Sequence, residues 1–261
     1  MEVYNELKAI QKAELNILTK FAGFCDDNGL RYCLAGGTLL GAVRHSGFIP
    51  WDDDIDVMMP RPDFERFIEL TNGTMAEKYE VLWKDKYENF PIPFIKVVDK
   101  SIKVSYKLMQ EPQSLWIDIF PIDGLPKEEK EFKRLVRKIG HLKYFLWQAT
   151  SDEQDIEKTS KRIAKKILFF PFRLIGAKYY ADKITKTAKQ YKFETCDYVG
   201  CIVAKYGRKE RIEKKHVEER IKLLFEDKEF YVPKGFQVYL TNLYGDYNQI
   251  PKERHTHLRQ E

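Results

Sequence analysis

A chain of 261 residues with 43% hydrophobic and 33% charged side chains, including 17 Phe, 15 Tyr and 4 Trp, can bury a sizeable core, which excludes a minimal adaptor and a disordered segment. The net charge is +5, yet Glu157 to Lys192 hold eleven Lys or Arg against two acids, so the other 225 residues carry 5 − 9 = −4. Positive charge confined to one block argues against a nucleic-acid partner, and four cysteines without a C-x-x-C pair read as reduced, cytosolic thiols.

The first predicted element is a helix from Tyr4 to Phe24, with Leu7, Ile10, Leu15, Leu18 and Phe21 at helical spacing and Asp26-Asp27-Asn28-Gly29 as its stop. The charged N-terminus has no apolar leader, and no apolar run is long enough to span a membrane, so the expectation is a cytoplasmic protein. LRYCLA (30–35) reads as a buried strand, Gly36-Gly37 as a turn, and TLLGAVR from Thr38 as a short helix. After a loop, the alternation Asp54-Ile55-Asp56-Val57 suits a strand that Pro60 ends, and Pro62 opens a helix over DFERFIEL. Further strands are expected at YEVLW, PFIKVVD, SIKVSY and LWIDIF. From Lys127 the pattern turns helical to about Gln148 and through the basic block, where Pro171 should interrupt any helix; FYVP, a GFQVYLTNLYG helix and a polar tail close the chain. The expected class is α+β, with a mixed-sheet core over 1–126 and a mostly helical lobe over 127–261, joined without a flexible hinge.

Chemistry concentrates in PWDDDIDV (50–57). Four carboxylates in five positions repel one another unless solvent or a cation neutralises them, and flanking Trp51, Ile55 and Val57 argue against full exposure. Asp54 and Asp56, two apart on a strand, project to one side and suit a single Mg²⁺, which takes one or two carboxylates plus phosphate oxygens. Gly36-Gly37, between strand and helix, lets backbone N–H groups approach a phosphate. Asp118, flanked by aliphatics in LWIDIFPIDG, needs a metal or hydrogen bonds to justify a buried charge; a structural cap is the other reading.

Residues Ala35 to Phe67 (AGGTLLGAVRHSGFIPWDDDIDVMMPRPDFERF) closely resemble the LicD family, and WIDIFPIDGLP (116–126) and YGDYNQIP (244–251) look like its later blocks. The family is similar to the nucleotidyltransferase superfamily, whose glycine turn, D-x-D strand and third carboxylate match Gly36, Gly37, Asp54, Asp56 and Asp118, with Asp52 and Asp53 beside them. The resemblance implies a nucleotidyltransferase-like sheet and a Mg²⁺-dependent phosphotransferase, Mn²⁺ serving in its place. Such an enzyme moves a phospho-alcohol, phosphocholine first, from a CDP-alcohol such as CDP-choline to a cell-envelope glycan such as lipopolysaccharide or teichoic acid, releasing CMP. Asp54, Asp56 and Asp118 would hold metal, Asp118 alternatively accepting the hydroxyl proton. Gly36, Gly37 and Thr38 would cradle the donor.

Arg44 and His45 could clamp phosphate, Arg44 alternatively pairing with an aspartate; Lys96 could meet the diphosphate or lie on the surface. Tyr247 could stack a base, cover a choline ammonium, or pack in the core. His255 and His257 lack further ligands for zinc. KRIAKKILFFPFRLIG (161–176) joins basic and apolar residues and reads either as a segment lying on the anionic inner membrane leaflet, suiting a lipid-linked glycan acceptor, or as a core helix with a solvated basic face. A nucleotidyltransferase acting on an NTP, and a non-catalytic glycan- or nucleotide-binding protein, are the competing functions.

Overall fold

The computed structural model describes residues 2–4, 6–86, 91–105, 112–151 and 159–250. In chain order the first half holds β1 (Glu2–Tyr4), α1 (Leu7–Asp27), β2 (Cys33–Leu34), α2 (Gly36–His45), β3 (Asp56–Pro60), α3 (Arg61–Thr71), β4 (Thr74–Ala76), β5 (Tyr79–Leu82), β6 (Ile95–Val104) and β7 (Gln113–Leu125). The second half holds α4 (Glu129–Thr150), α5 (Thr159–Ile175), α6 (Ala177–Ala188), β8 (Tyr198–Gly200), β9 (Ile212–Glu213), α7 (Lys215–Glu218), β10 (Arg220–Phe225), β11 (Lys228–Pro233) and α8 (Phe236–Tyr244). No helix among the described residues is long and apolar enough to cross a membrane.

Nine of the described strands form one mixed sheet along the path β2-β3-β7-β6-β5-β4, with β1 beside β6 and β8-β9 continuing from β7. Its centre is β7, whose 13 residues are long enough to serve β6, then β3, then β8 in turn. Along β7, Leu115, Ile117 and Ile119 are wholly buried while Trp116, Asp118 and Phe120 between them are only partly covered, as period-2 alternation requires. The buried side joins Ile55, Val57, Val97 and the apolar stripe of α1 (Ile10, Ile17, Leu18, Phe21) in the main core, and Phe21 meets Phe67 of α3 edge-on at 5.2 Å. Phe193, Val199, Ile212, Phe225, Phe230 and Leu240 belong to the same core, whereas a second cluster gathers Phe132, Leu135 and Ile139 of α4 with Tyr180 and Ile184 of α6.

The α+β class stands, with corrections to individual elements. Tyr4 belongs to β1, paired in parallel with Val104, and the helix starts only at Leu7. LRYCLA pairs over Cys33–Leu34 alone, and the following helix begins at Gly36, so the glycines are its first turn. β3 starts at Asp56 and runs through Met59 to Pro60; β2 stops opposite Met58, so Pro60 is paired on one side only and its missing N–H costs no bond there. The two strands expected at 93–106 are one, because Asp99 Oδ1 accepts bonds from Ser101 N–H (2.9 Å) and Oγ–H (2.5 Å) and turns the break into a bulge; Tyr106 lies outside the described residues. α5 continues through Pro171. Helix dominates only to Ala188, after which four short strands intervene.

Arg61, first residue of α3, grips Asp123 of β7 through two 2.7 Å bonds, with side-chain exposures of 8% and 1%. Removing one partner strands a charge indoors. Asp123→Ala should therefore cost about 3–5 kcal/mol in urea unfolding at neutral pH, whereas breaking the exposed Arg66–Glu69 pair should not shift the curve measurably.

Candidate active site

Sheet register assembles the site. Asp56 on β3 and Asp118 on β7 are direct Cα partners, and Asp118 is in turn the partner of Lys96 on β6, so three chemistry-bearing residues form one row across three strands. Asp54, outside the strand proper, keeps the same alternation because Ile55 is wholly buried and its carbonyl accepts a bond from Asp118 N–H at 2.9 Å. Asp54, Asp56 and Asp118 line one cavity of about 380 Å³, a size suited to a small-molecule ligand. Gly36, Gly37, Asp52, Met58 and Phe120 share that wall.

The glycines are dictated by crowding. Gly36 sits at φ +49°, and a Cβ there would meet Asp56 Oδ2 at 2.8 Å; one on Gly37 would meet Asp52 Oδ2 at the same distance. The N-terminal turn of α2, with its unbonded N–H groups and positive dipole end, thus abuts the carboxylates. Thr38 lies beneath this contact and does not line the cavity. Its buried Oγ1 accepts the Asp56 N–H at 2.8 Å and ties helix to strand.

Two residues of α1 join from below without having been expected. Glu14 is 1% exposed with Oε2 unbonded, and Gln11 donates from Nε2 to the Asp52 carbonyl at 2.8 Å. Burial, followed by repulsion from Asp54, Asp53 and Asp52, holds Glu14 well above the usual carboxylate range. The same causes, burial before neighbouring acids, raise Asp56 strongly and push Asp52 up to about 8. Burial also raises Asp118, against the opposing pull of Lys96. Lys96 Nζ stands 3.1 Å from Asp118 Oδ1 without the alignment of a hydrogen bond, leaving that buried oxygen unbonded, and lies 3.6 Å over the Trp116 ring.

These donors fit a divalent cation. An unbonded carboxylate oxygen, carboxyls raised by burial and then by mutual repulsion, and a glycine cradle are what a bound positive charge would relieve. No three His, Cys, Asp or Glu side chains among the described residues are gathered as a ready cage. Mg²⁺ does not ask for one, because it keeps waters and takes substrate phosphates.

The opposite wall comes from the second half of the chain: Tyr206, Tyr239, Tyr244 and Glu210, with Cys201, Ala204 and Lys205. Tyr206 and Tyr244 pack edge-on at 5.5 Å with hydroxyls 3.2 Å apart, and Tyr239 O–H points to Glu210 Oε2 at 3.4 Å. Glu210 is 2% exposed, and burial pushes it up to about 8.

Three expected donor contacts lie away from this cavity. Arg44, in the last turn of α2, donates from Nη1 to the carbonyls of Tyr247 (3.0 Å) and Gln249 (3.3 Å). His45 contacts Arg44. Tyr247 packs against the main core and presents its carbonyl to Arg44. His255 and His257 fall outside the described residues.

Residues 29–136 match the family model described as LicD/FKTN/FKRP, nucleotidyltransferase domain. Over 251 residues, 95% of this chain and 93% of the other, the sequence is 32% identical to the lipopolysaccharide cholinephosphotransferase LicD of Haemophilus influenzae. Over 69 residues, 25% of this chain and 14% of the other, it is 35% identical to the human ribitol 5-phosphate transferase FKRP.

The raised carboxyls carry a sign. Folded protein keeps protons that unfolded protein releases above the ordinary range near pH 4, so unfolding gains favour as pH rises from there towards 8, where Asp52 and Glu210 ionise. The melting temperature of metal-free protein should fall by several degrees between pH 5 and 8, and Mg²⁺ should recover part of it; a rise across that window would contradict the charge arrangement.

Proposed function

We propose, from the premise that the chain belongs to the LicD family, that it is a transferase moving phosphocholine from CDP-choline to a hydroxyl of an envelope glycan, with release of CMP. The observation that carries this reading is a single cavity with a carboxylate and glycine wall facing a tyrosine wall. The first wall suits a diphosphate and the second a quaternary ammonium, which aromatic faces and a carboxylate attract. The relative's activity supports phosphocholine over other alcohols. We infer a cytoplasmic enzyme whose acceptor is lipid-linked and reached at the inner membrane face.

In the reaction the acceptor oxygen forms a bond to the distal phosphorus, the bond from that phosphorus to the bridging oxygen breaks, and CMP leaves with the electron pair. The N–H groups of Gly36 and Gly37 orient the diphosphate at the head of α2. Asp118 Oδ1, lacking a hydrogen bond, accepts the hydroxyl proton, and Lys96 keeps that carboxylate in place. Asp54 and Asp56 are the residues that would hold Mg²⁺, or Mn²⁺, whose charge when bound would neutralise the phosphoryl oxygens. Glu210, neutral below about pH 8, meets the ammonium best once ionised.

Incubation with labelled CDP-choline, a glycan acceptor and Mg²⁺ should yield CMP and labelled glycan, while CTP should give no pyrophosphate; the reverse pattern would establish a nucleotidyltransferase. Asp54→Asn should lower transfer at least about 100-fold while raising the melting temperature of metal-free protein, because one repelling charge is gone; unchanged activity would discard the metal assignment. Above pH 8, where Glu210 is ionised, Glu210→Gln should raise KM for CDP-choline about tenfold and leave KM for a CDP-polyol alone. In unaltered protein the CDP-choline affinity should strengthen as pH rises through about 8.

A further inference from the structure

α5 is amphipathic in an unusual sense, because it has an apolar stripe that the protein does not cover. Phe169 is 5% exposed, and Phe172 stacks on Phe145 at 5.1 Å, so one side of the helix is anchored to α4. Ile163, Ile167, Phe170 and Leu174 follow one another at intervals of four, three and four residues and therefore share a different face. Their exposures are 54%, 70%, 62% and 76%. Beside them α4 presents Tyr144 and Trp147, stacked at 5.8 Å and 54% and 52% exposed. Trp147 meets Phe169 edge-on at 5.6 Å, which joins the two surfaces.

Basic side chains frame this surface. Lys165 lies 5.9 Å over the Trp147 ring, Lys166 is exposed beside the stripe, and the whole segment Glu157 to Lys192 carries eleven cationic and two acidic residues. That charge decides between occupants. A second copy docking through the same face would set the five Lys and Arg of α5, a helix that holds no acid, against five more, whereas a surface of anionic lipid headgroups complements them. At 17 residues with cationic side chains along it, α5 fits a helix lying in the interface rather than crossing it.

We infer that α5 and the end of α4 form a docking face for anionic membrane, with Ile163, Ile167, Phe170 and Leu174 entering the acyl boundary and Tyr144 and Trp147 at headgroup level. The same α4 reaches the cavity wall, since Lys143 Nζ donates to the Ala204 carbonyl at 2.6 Å, so membrane face and cavity stand on one rigid element. The docking itself does not depend on which reaction the cavity performs.

Flotation of the full chain with vesicles of phosphatidylcholine alone, or mixed with phosphatidylglycerol, tests this without any turnover. Binding should require the anionic lipid and weaken in high salt. Phe170→Ser with Ile167→Ser should reduce it at least about tenfold at unchanged melting temperature, since both side chains already face solvent. Lys166→Glu should weaken it on anionic vesicles with the apolar stripe intact. Failure to float with either vesicle, indifference to the double substitution, or concentration-dependent dimerisation through this face in sedimentation would overturn the proposal.

Discussion

Carboxylates crowded where water is scarce are the constraint around which this protein is arranged. Two like charges 4 Å apart at a partly buried site cost about 4 kcal/mol, and Glu14, Asp52, Asp54, Asp56 and Asp118 act on one another. A chain selected for stability alone would not gather them. The surroundings reinforce the gathering: Gly36 and Gly37 remove the Cβ atoms that would hold the helix off, Gln11 pins the Asp52 carbonyl, and Thr38 pins the Asp56 N–H. The Gln11 and Thr38 bonds act on backbone, so neither takes up a carboxylate oxygen.

The fold makes such a cluster tolerable by giving it a stiff support. β7 is bonded along both edges, its buried face is sealed by α1, and its far end is locked to α3 through Arg61 and Asp123. Repulsion can then be stored in proton affinities instead of being relieved by movement. The second half of the chain closes the cavity with tyrosines and Glu210 while also completing the main core, so the two walls stand on one packed body.

What the sequence makes legible is what depends on neighbours in the chain. Alternation in Asp54-Ile55-Asp56-Val57 and in Trp116-Ile117-Asp118-Ile119 determines which side chains face the cavity, and that pattern survives although β3 starts two residues later than expected. Glu14 could have been found in the same way, for it falls four residues from both Ile10 and Leu18 on the buried stripe of α1, an expensive position for an acid. The tyrosine wall could not. Tyr206, Glu210, Tyr239 and Tyr244 lie on a loop, a single 3₁₀ turn and a helix, and no period in the sequence links them. β8, three residues long, is set by pairing with β7, and β9, two residues long, by pairing with β8; neither carries a pattern of its own. Arg44 and Tyr247 were each legible as residues of interest, but the arginine serves the other's carbonyl, which no side-chain chemistry announces.

The most direct test of the central claim is anomalous scattering from crystals grown with Mn²⁺ and a non-hydrolysable CDP-choline analogue. The account predicts a metal peak about 2 Å from carboxylate oxygens of Asp54 and Asp56, bridged to the analogue's diphosphate. A peak on another set of side chains, or a diphosphate bound with no metal peak at those two aspartates, would contradict it.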